Sequence, residues 1–158
     1  MNLVVVLHVI AAILFLGPVT VAVSAFGPAI LGASQGDELS RGRALSMYKI
    51  TRTYGLLSLI IPILGLAAMF TDGGYWSEWR FHVSILLSVI AWALLFFVIA
   101  PKQNRAIQAL DIHEPGEESP AERPQISDWN KVKGQSAMFG GIFSLLWVIV
   151  AIFMLVSF

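Results

Sequence analysis

Four long stretches of this 158-residue chain contain no Asp, Glu, Lys or Arg, and this restricts the fold more than any other feature. Leu3 to Ala33 is apolar except for His8, Thr20 and Ser24. Gly55 to Phe70, Phe81 to Ala100 and Ser136 to Phe158 follow, with His82 at the edge of the third. Crossing about 30 Å of hydrocarbon takes about 20 helical residues. The second stretch reaches that length if its helix begins near Tyr48. Inside lipid, backbone polar groups must pair within the protein, which leaves helices or closed barrels. The alternating pattern of barrel strands is missing, so helices are expected. The expected fold is all-α: a polytopic membrane protein built as a four-transmembrane-helix bundle. It would be a single membrane domain over residues 1–158, with spans at about 3–31, 48–70, 79–100 and 136–158.

Composition closes the alternatives. The chain is 57% hydrophobic and 13% charged, whereas a soluble domain is about 45–50% apolar and about 25% charged. Ten Lys and Arg balance ten Asp and Glu, so no basic excess points to nucleic acid. With no Cys, disulfides, thiolate catalysis and Cys-ligated zinc or iron–sulfur sites are excluded. The first stretch lacks a positive flank and far exceeds the signal-peptide core of about 7–15 residues. It is expected to be retained as a span.

The connections set the orientation. Arg41, Arg43, Lys49 and Arg52 precede span two. Lys102, Arg105, Arg123, Lys131 and Lys133 lie between spans three and four. Arg80 alone lies between spans two and three. The positive-inside rule then places residues 32–52 and 101–135 in the cytoplasm and both termini outside. Tyr75, Trp76 and Trp79 suit the outer boundary, and Tyr48, Tyr54 and Trp129 the inner one. Trp92 and Trp147 lie too deep for either belt and are expected between helices.

Asp37 or Ser40 is expected to cap a helix running into span two. Ala44, Met47, Tyr48 and Thr51 share one stripe of that helix, while Arg41, Lys49 and Arg52 share another. The basic stripe suits anionic lipid, but ordinary topology-setting charge is the favoured account of it. Lys102 to Leu110 should extend span three, and Ser127 or Asp128 should cap the helix leading to span four. Between them, the Pro- and Glu-rich stretch over about 111–127 is expected to be a flexible connection, with His113 uninvolved. Gly17-Pro18 and Pro62 are expected to kink spans one and two.

Intramembrane charges mark proton relays and ion paths, and their absence from all four stretches weighs against a pump or coupled transporter. A channel would need a continuous polar stripe, and only scattered Ser and Thr occur. Small residues instead recur at helical spacing: Ser136, Gly140 and Ser144 on span four, Ser84 and Ser88 on span three, Ala25 and Ala29 on span one. Such stripes let helix backbones approach closely, within this bundle or against a partner subunit. His8 and His82 both fall in the outer half of the bilayer. Two imidazoles on neighbouring helices suit axial ligation of haem b, and His8 alone suits a quinone headgroup.

Leu7-His8-Val9-Ile10-Ala11-Ala12-Ile13-Leu14-Phe15-Leu16-Gly17 resembles the first helix of a bacterial four-helix integral-membrane family of unknown function. Its Leu-His opening is also similar to that of the CopD and HemJ membrane families. Gly65-Leu66-Ala67-Ala68, Trp76, and Trp92 followed by Pro101-Lys102-Gln103 look like the same unknown-function family. The resemblance implies a four-helix membrane protein. In HemJ the helical His supports haem-linked porphyrinogen oxidation, and His8 alone carries across.

The expected function is therefore a non-catalytic accessory or structural subunit of a larger bacterial membrane complex. Its partners would be other integral membrane subunits and lipids, with a respiratory cytochrome oxidase supercomplex as the specific candidate. No cofactor is expected on this reading. The alternative is a haem- or quinone-binding redox protein using His8 and His82.

Overall fold

A computed structural model describes residues 2–71 and 73–156, and all regular structure in them is helical. Ser157 and Phe158, expected to finish the fourth span, lie outside the described residues. Four helical stretches are long and apolar enough to cross a membrane.

The first span is one helix, α1 (Leu3–Ser34). Asn2 caps it by accepting from the Val4 N–H at 3.1 Å. It continues without interruption through Pro18 and Pro28. The Thr20 and Ser24 hydroxyls donate to the Leu16 and Thr20 carbonyls, both at 2.8 Å. At the far end Gly36 takes φ +92°, a left-handed conformation that glycine adopts without steric penalty. This lets the Gly36 and Asp37 N–H groups bond back to Ala33 and Gly32 at 3.1 and 3.2 Å, closing the helix with a Schellman turn. Asp37 then caps the next helix, α2 (Glu38–Leu57), accepting from the Ser40 N–H at 3.2 Å. Three residues thus reverse the chain.

Span two is two helices, α2 and α3 (Ile60–Thr71), separated at Ser58 and Leu59. Pro62 is the physical cause. Its ring crowds the carbonyl four residues back, which belongs to Ser58, and that carbonyl instead accepts from the Ile61 N–H at 3.0 Å. Span three comprises α4 (Trp79–Leu94), a wide π turn over Leu95–Ile99, and α5 (Ala100–Ala109). Pro101 crowds the Phe97 carbonyl, and the wide turn accommodates it. The fourth span is α6 (Trp129–Leu155), capped by Asp128, which accepts from the Lys131 N–H at 3.0 Å. Three of these helices reach further than the apolar stretches alone: α2 starts at Glu38, α5 runs to Ala109 and α6 starts at Trp129.

The four spans form a ring. α1 packs against α2, α3 and α6, while α4 packs on α6 and α5 on α2. The buried side chains form three layers along α1. Phe26, Ile30 and Ala33 meet Ala44, Ala106, Ile107 and Ile112 at one end. Val19 and Val23 meet Trp92, Leu95 and Phe143 in the middle. Ala11 and Leu16 meet Ile61 beyond them. Outside this core, Ile13, Val21, Leu86, Phe97, Leu145 and Val148 are exposed. Bare apolar faces on every span suit hydrocarbon rather than water.

The two ends of the ring differ. The turn after α1 and residues 110–128 share one end, joined where the Arg41 guanidinium donates to the Leu110 and Asp111 carbonyls at 3.2 and 3.3 Å. Nine of the ten Lys and Arg belong to this loop-rich end. Arg80 belongs to the other, where it donates to the Val156 carbonyl at 2.8 Å. Aromatic rings gather there too, with Phe70–Trp76, Tyr75–Phe81 and Trp79–Phe153 centroids 5.2, 5.1 and 5.7 Å apart.

Residues 112–128 form no regular element, as expected, but much of the connection is tied down. Ile112 is buried in the core, Lys49 pairs with Glu114, and Arg123 pairs with Asp111.

Candidate functional site

The break in span two organises the polar groups inside the bundle. Ser58 lies fully buried at that break. Its hydroxyl donates to the Gly55 carbonyl at 2.6 Å and accepts from Trp92 Nε1 at 2.9 Å. The Trp92 ring meets Trp147 edge-on at 5.0 Å, as the depth of both residues implied. Trp147 in turn packs near Ala11 and Ile61, and its Nε1 is buried without a partner among the described residues. Sequence reasoning passed over Ser58. The available signal was its position four residues before Pro62.

His8 joins the same region from α1. Its Nδ1 lies 2.9 Å from the Ile61 carbonyl. A carbonyl only accepts, so Nδ1 carries the hydrogen and Nε2 of the neutral ring keeps its lone pair. The imidazole occupies space left by Gly65, where a Cβ would lie 2.8 Å from His8 Cε1. His82 is placed differently. It is exposed on α4, with Nδ1 3.2 Å from the Glu78 carbonyl of its own helix and its ring 6.4 Å from Trp76. No hydrogen bond or ring contact joins the two imidazoles among the described residues.

The small-residue stripes are largely used inside the chain. A Cβ on Gly140 would lie 2.9 Å from the Val23 carbonyl oxygen. One on Gly27 would meet the Lys133 carbonyl oxygen at 3.1 Å and Ser136 Cβ at 3.3 Å. Ser84, Ser88 and Ala29 are buried, and Ser144 turns back to the Gly140 carbonyl at 2.9 Å. Ala25 is half-buried. These positions lie where α1, α4 and α6 pack on one another within the chain.

At the loop-rich end a groove of about 940 Å³ opens between α2, the end of α5 and the following connection. Its α2 wall carries Tyr48, Lys49, Arg52, Leu56 and Leu57. The facing connection contributes Glu117 and Glu118. His113, expected to stand apart, also lines the groove and has Nε2 3.6 Å from Asp111. The opposite wall is held in place locally. Asp111 takes φ +53°, a conformation Asp tolerates better than most residues. It lets the Ile112 N–H reach the Ile107 carbonyl at 3.0 Å, ending α5. Arg41 then satisfies the last carbonyls of that helix, as cations near a helix C-terminus do. Of the expected stripe, Ala44 and Thr51 are buried, whereas Tyr48 lines the groove beside Lys49 and Arg52.

Comparison with protein-family models, curated proteins and solved structures finds no match to this chain.

Proposed function

We propose that this chain is a non-catalytic subunit of a bacterial membrane complex, working by contact with other integral membrane subunits and with lipid. The observation that carries this reading is how the spans use their small and polar groups. Gly27 and Gly140 seat α1 directly on the backbone of α6, and Ser58, Trp92 and His8 bind one another's helices across the ring. Such closure suits a rigid support, and outward faces of large apolar side chains suit burial among neighbouring helices or lipid. With the cation-rich end in the cytoplasm, the connection over residues 110–128 faces the cell interior. A respiratory oxidase assembly is the specific partner we propose.

Purification in a mild detergent followed by mass spectrometry of the intact complex tests this. Co-migration with other membrane subunits is expected, and recovery as a lone chain at native abundance would overturn it.

One observation favours a second reading. The Nδ1–H of His8 is held by a carbonyl, the arrangement that leaves Nε2 basic and oriented. A quinone headgroup or haem b on His8, in line with the resemblance to the first helix of HemJ, would use that atom. The optical spectrum and extractable quinone of the purified protein decide it. A Soret band or bound quinone lost in His8→Ala supports the redox reading, and neither being present ends it.

A further inference from the structure

The groove at the loop-rich end combines features that together specify a ligand class. α2 descends toward the hydrocarbon from Lys49 to Leu57, and at 1.5 Å per residue Leu56 lies about 6 Å deeper than Arg52. The wall therefore changes from apolar at Leu56 and Leu57 to cationic at Arg52. Leu56 and Leu57 are 56% and 47% exposed, open to acyl chains. Arg52 is exposed and makes no ion pair or hydrogen bond among the described residues, unlike Lys49, which pairs with Glu114. Across the groove, among the described residues, Glu118 has no partner and Glu117 accepts only from the Glu114 N–H at 3.1 Å. Lys49, about one turn further from the hydrocarbon than Arg52, pairs with Glu114 of that same connection, so the order from membrane to solvent is apolar, positive, negative.

We propose that this groove binds a phospholipid with a primary-amine zwitterionic headgroup, of the phosphatidylethanolamine type. A phospholipid presents its groups in the complementary order: acyl chains deepest, phosphate next, ammonium outermost. Arg52 meets the phosphate with a fork of N–H donors. Glu117 and Glu118 accept from the ammonium, whose three N–H groups a choline headgroup lacks. An anionic headgroup such as phosphatidylglycerol satisfies Arg52 but leaves its glycerol beside two carboxylates. The groove thus discriminates on both sides, and Tyr48 at its rim suits the headgroup level. This assignment is independent of the subunit reading, because a lone chain would bind the same lipid.

The test uses the full chain in mild detergent, offered phosphatidylethanolamine, phosphatidylcholine or phosphatidylglycerol with identical acyl chains, with retained lipid read by native mass spectrometry. Phosphatidylethanolamine should be retained about fivefold over the other two, the scale of partly exposed charge pairs acting together. Arg52→Gln should lower retention of all three to a common background. The double substitution Glu117→Gln with Glu118→Gln should abolish the ethanolamine preference while phosphatidylglycerol retention persists or rises. Helical circular dichroism equal to the parent shows that the variants fold. Equal retention of the three lipids by the parent, or retention unchanged in Arg52→Gln, would overturn the proposal. So would binding of glycerophosphoethanolamine as tight as the lipid, because the ligand would then be a soluble headgroup.

Discussion

Two tryptophans in edge-on contact make the sharpest comparison at the residue scale. Trp92 Nε1 donates to Ser58, whereas Trp147 Nε1 is buried without an acceptor among the described residues. Trp92→Phe should destabilise the bundle by about 1 kcal/mol, the net worth of a typical internal hydrogen bond. Trp147→Phe removes an unsatisfied buried donor and should leave stability unchanged or raise it. Unfolding of both variants in mixed micelles checks the contrast. Equal losses would mean that the hydrogen bond matters less than ring packing. Asp37 supplies a pH dependence. The Ser40 hydroxyl, and more weakly the backbone N–H groups of Ser40 and Leu39 and the charge of Arg43, hold its carboxyl below the usual value of 3.8. A depressed folded pKa means stability that is present above the unfolded value and lost as pH falls through the folded one. The turn between α1 and α2 should therefore loosen only in acid below about pH 4, and Asp37→Asn should flatten that response in hydrogen-exchange measurements. The residue types at these positions were legible in the sequence. Their partners were not, because His8 and Ile61, or Ser58 and Trp92, meet through packing of separate spans rather than through any local spacing.

Among the elements, adjacent glycines on α6 separate packing from propensity. A Cβ at Gly140 would press on the Val23 backbone oxygen, while one at Gly141 meets nothing within 4 Å. Gly140→Ala should force α1 and α6 apart at about 1–3 kcal/mol, the range for overpacking a close contact. Gly141→Ala should be neutral or gain up to about 1 kcal/mol through helix propensity. Thermal or denaturant unfolding of the two variants in one detergent checks this. The stripes that place Gly140 were visible as a pattern, but a pattern of small residues reads identically whether the neighbouring helix belongs to the same chain or another. Helix ends were more legible, since Asp37, Gly36 and Asp128 act through contacts within a few residues. The prolines show where local reasoning stops. Pro62 interrupts its span and Pro101 sits by a wide turn, yet α1 continues as one helix through Pro18 and Pro28.

At the scale of the whole molecule, charge and shape agree. The cations from which an orientation is inferred also build the loop-rich end: Arg41 binds the carbonyls just past α5, Lys49 and Arg123 pair with the connection, and Arg52 lines the groove. The fold class was legible because lipid leaves so few solutions for an uncharged stretch of this length. The groove was not, since its two walls lie far apart in sequence and its acidic side sits in a segment that reads as linker. The proposed orientation puts that end in the cytoplasm. The absence of Cys makes this directly measurable, because each introduced thiol is unique. With Ser77→Cys between α3 and α4, and Glu122→Cys between α5 and α6, a membrane-impermeant thiol reagent should label the first in intact spheroplasts. It should label the second only after the membrane is permeabilised. Labelling of Glu122→Cys in sealed spheroplasts, with Ser77→Cys protected, would contradict the account.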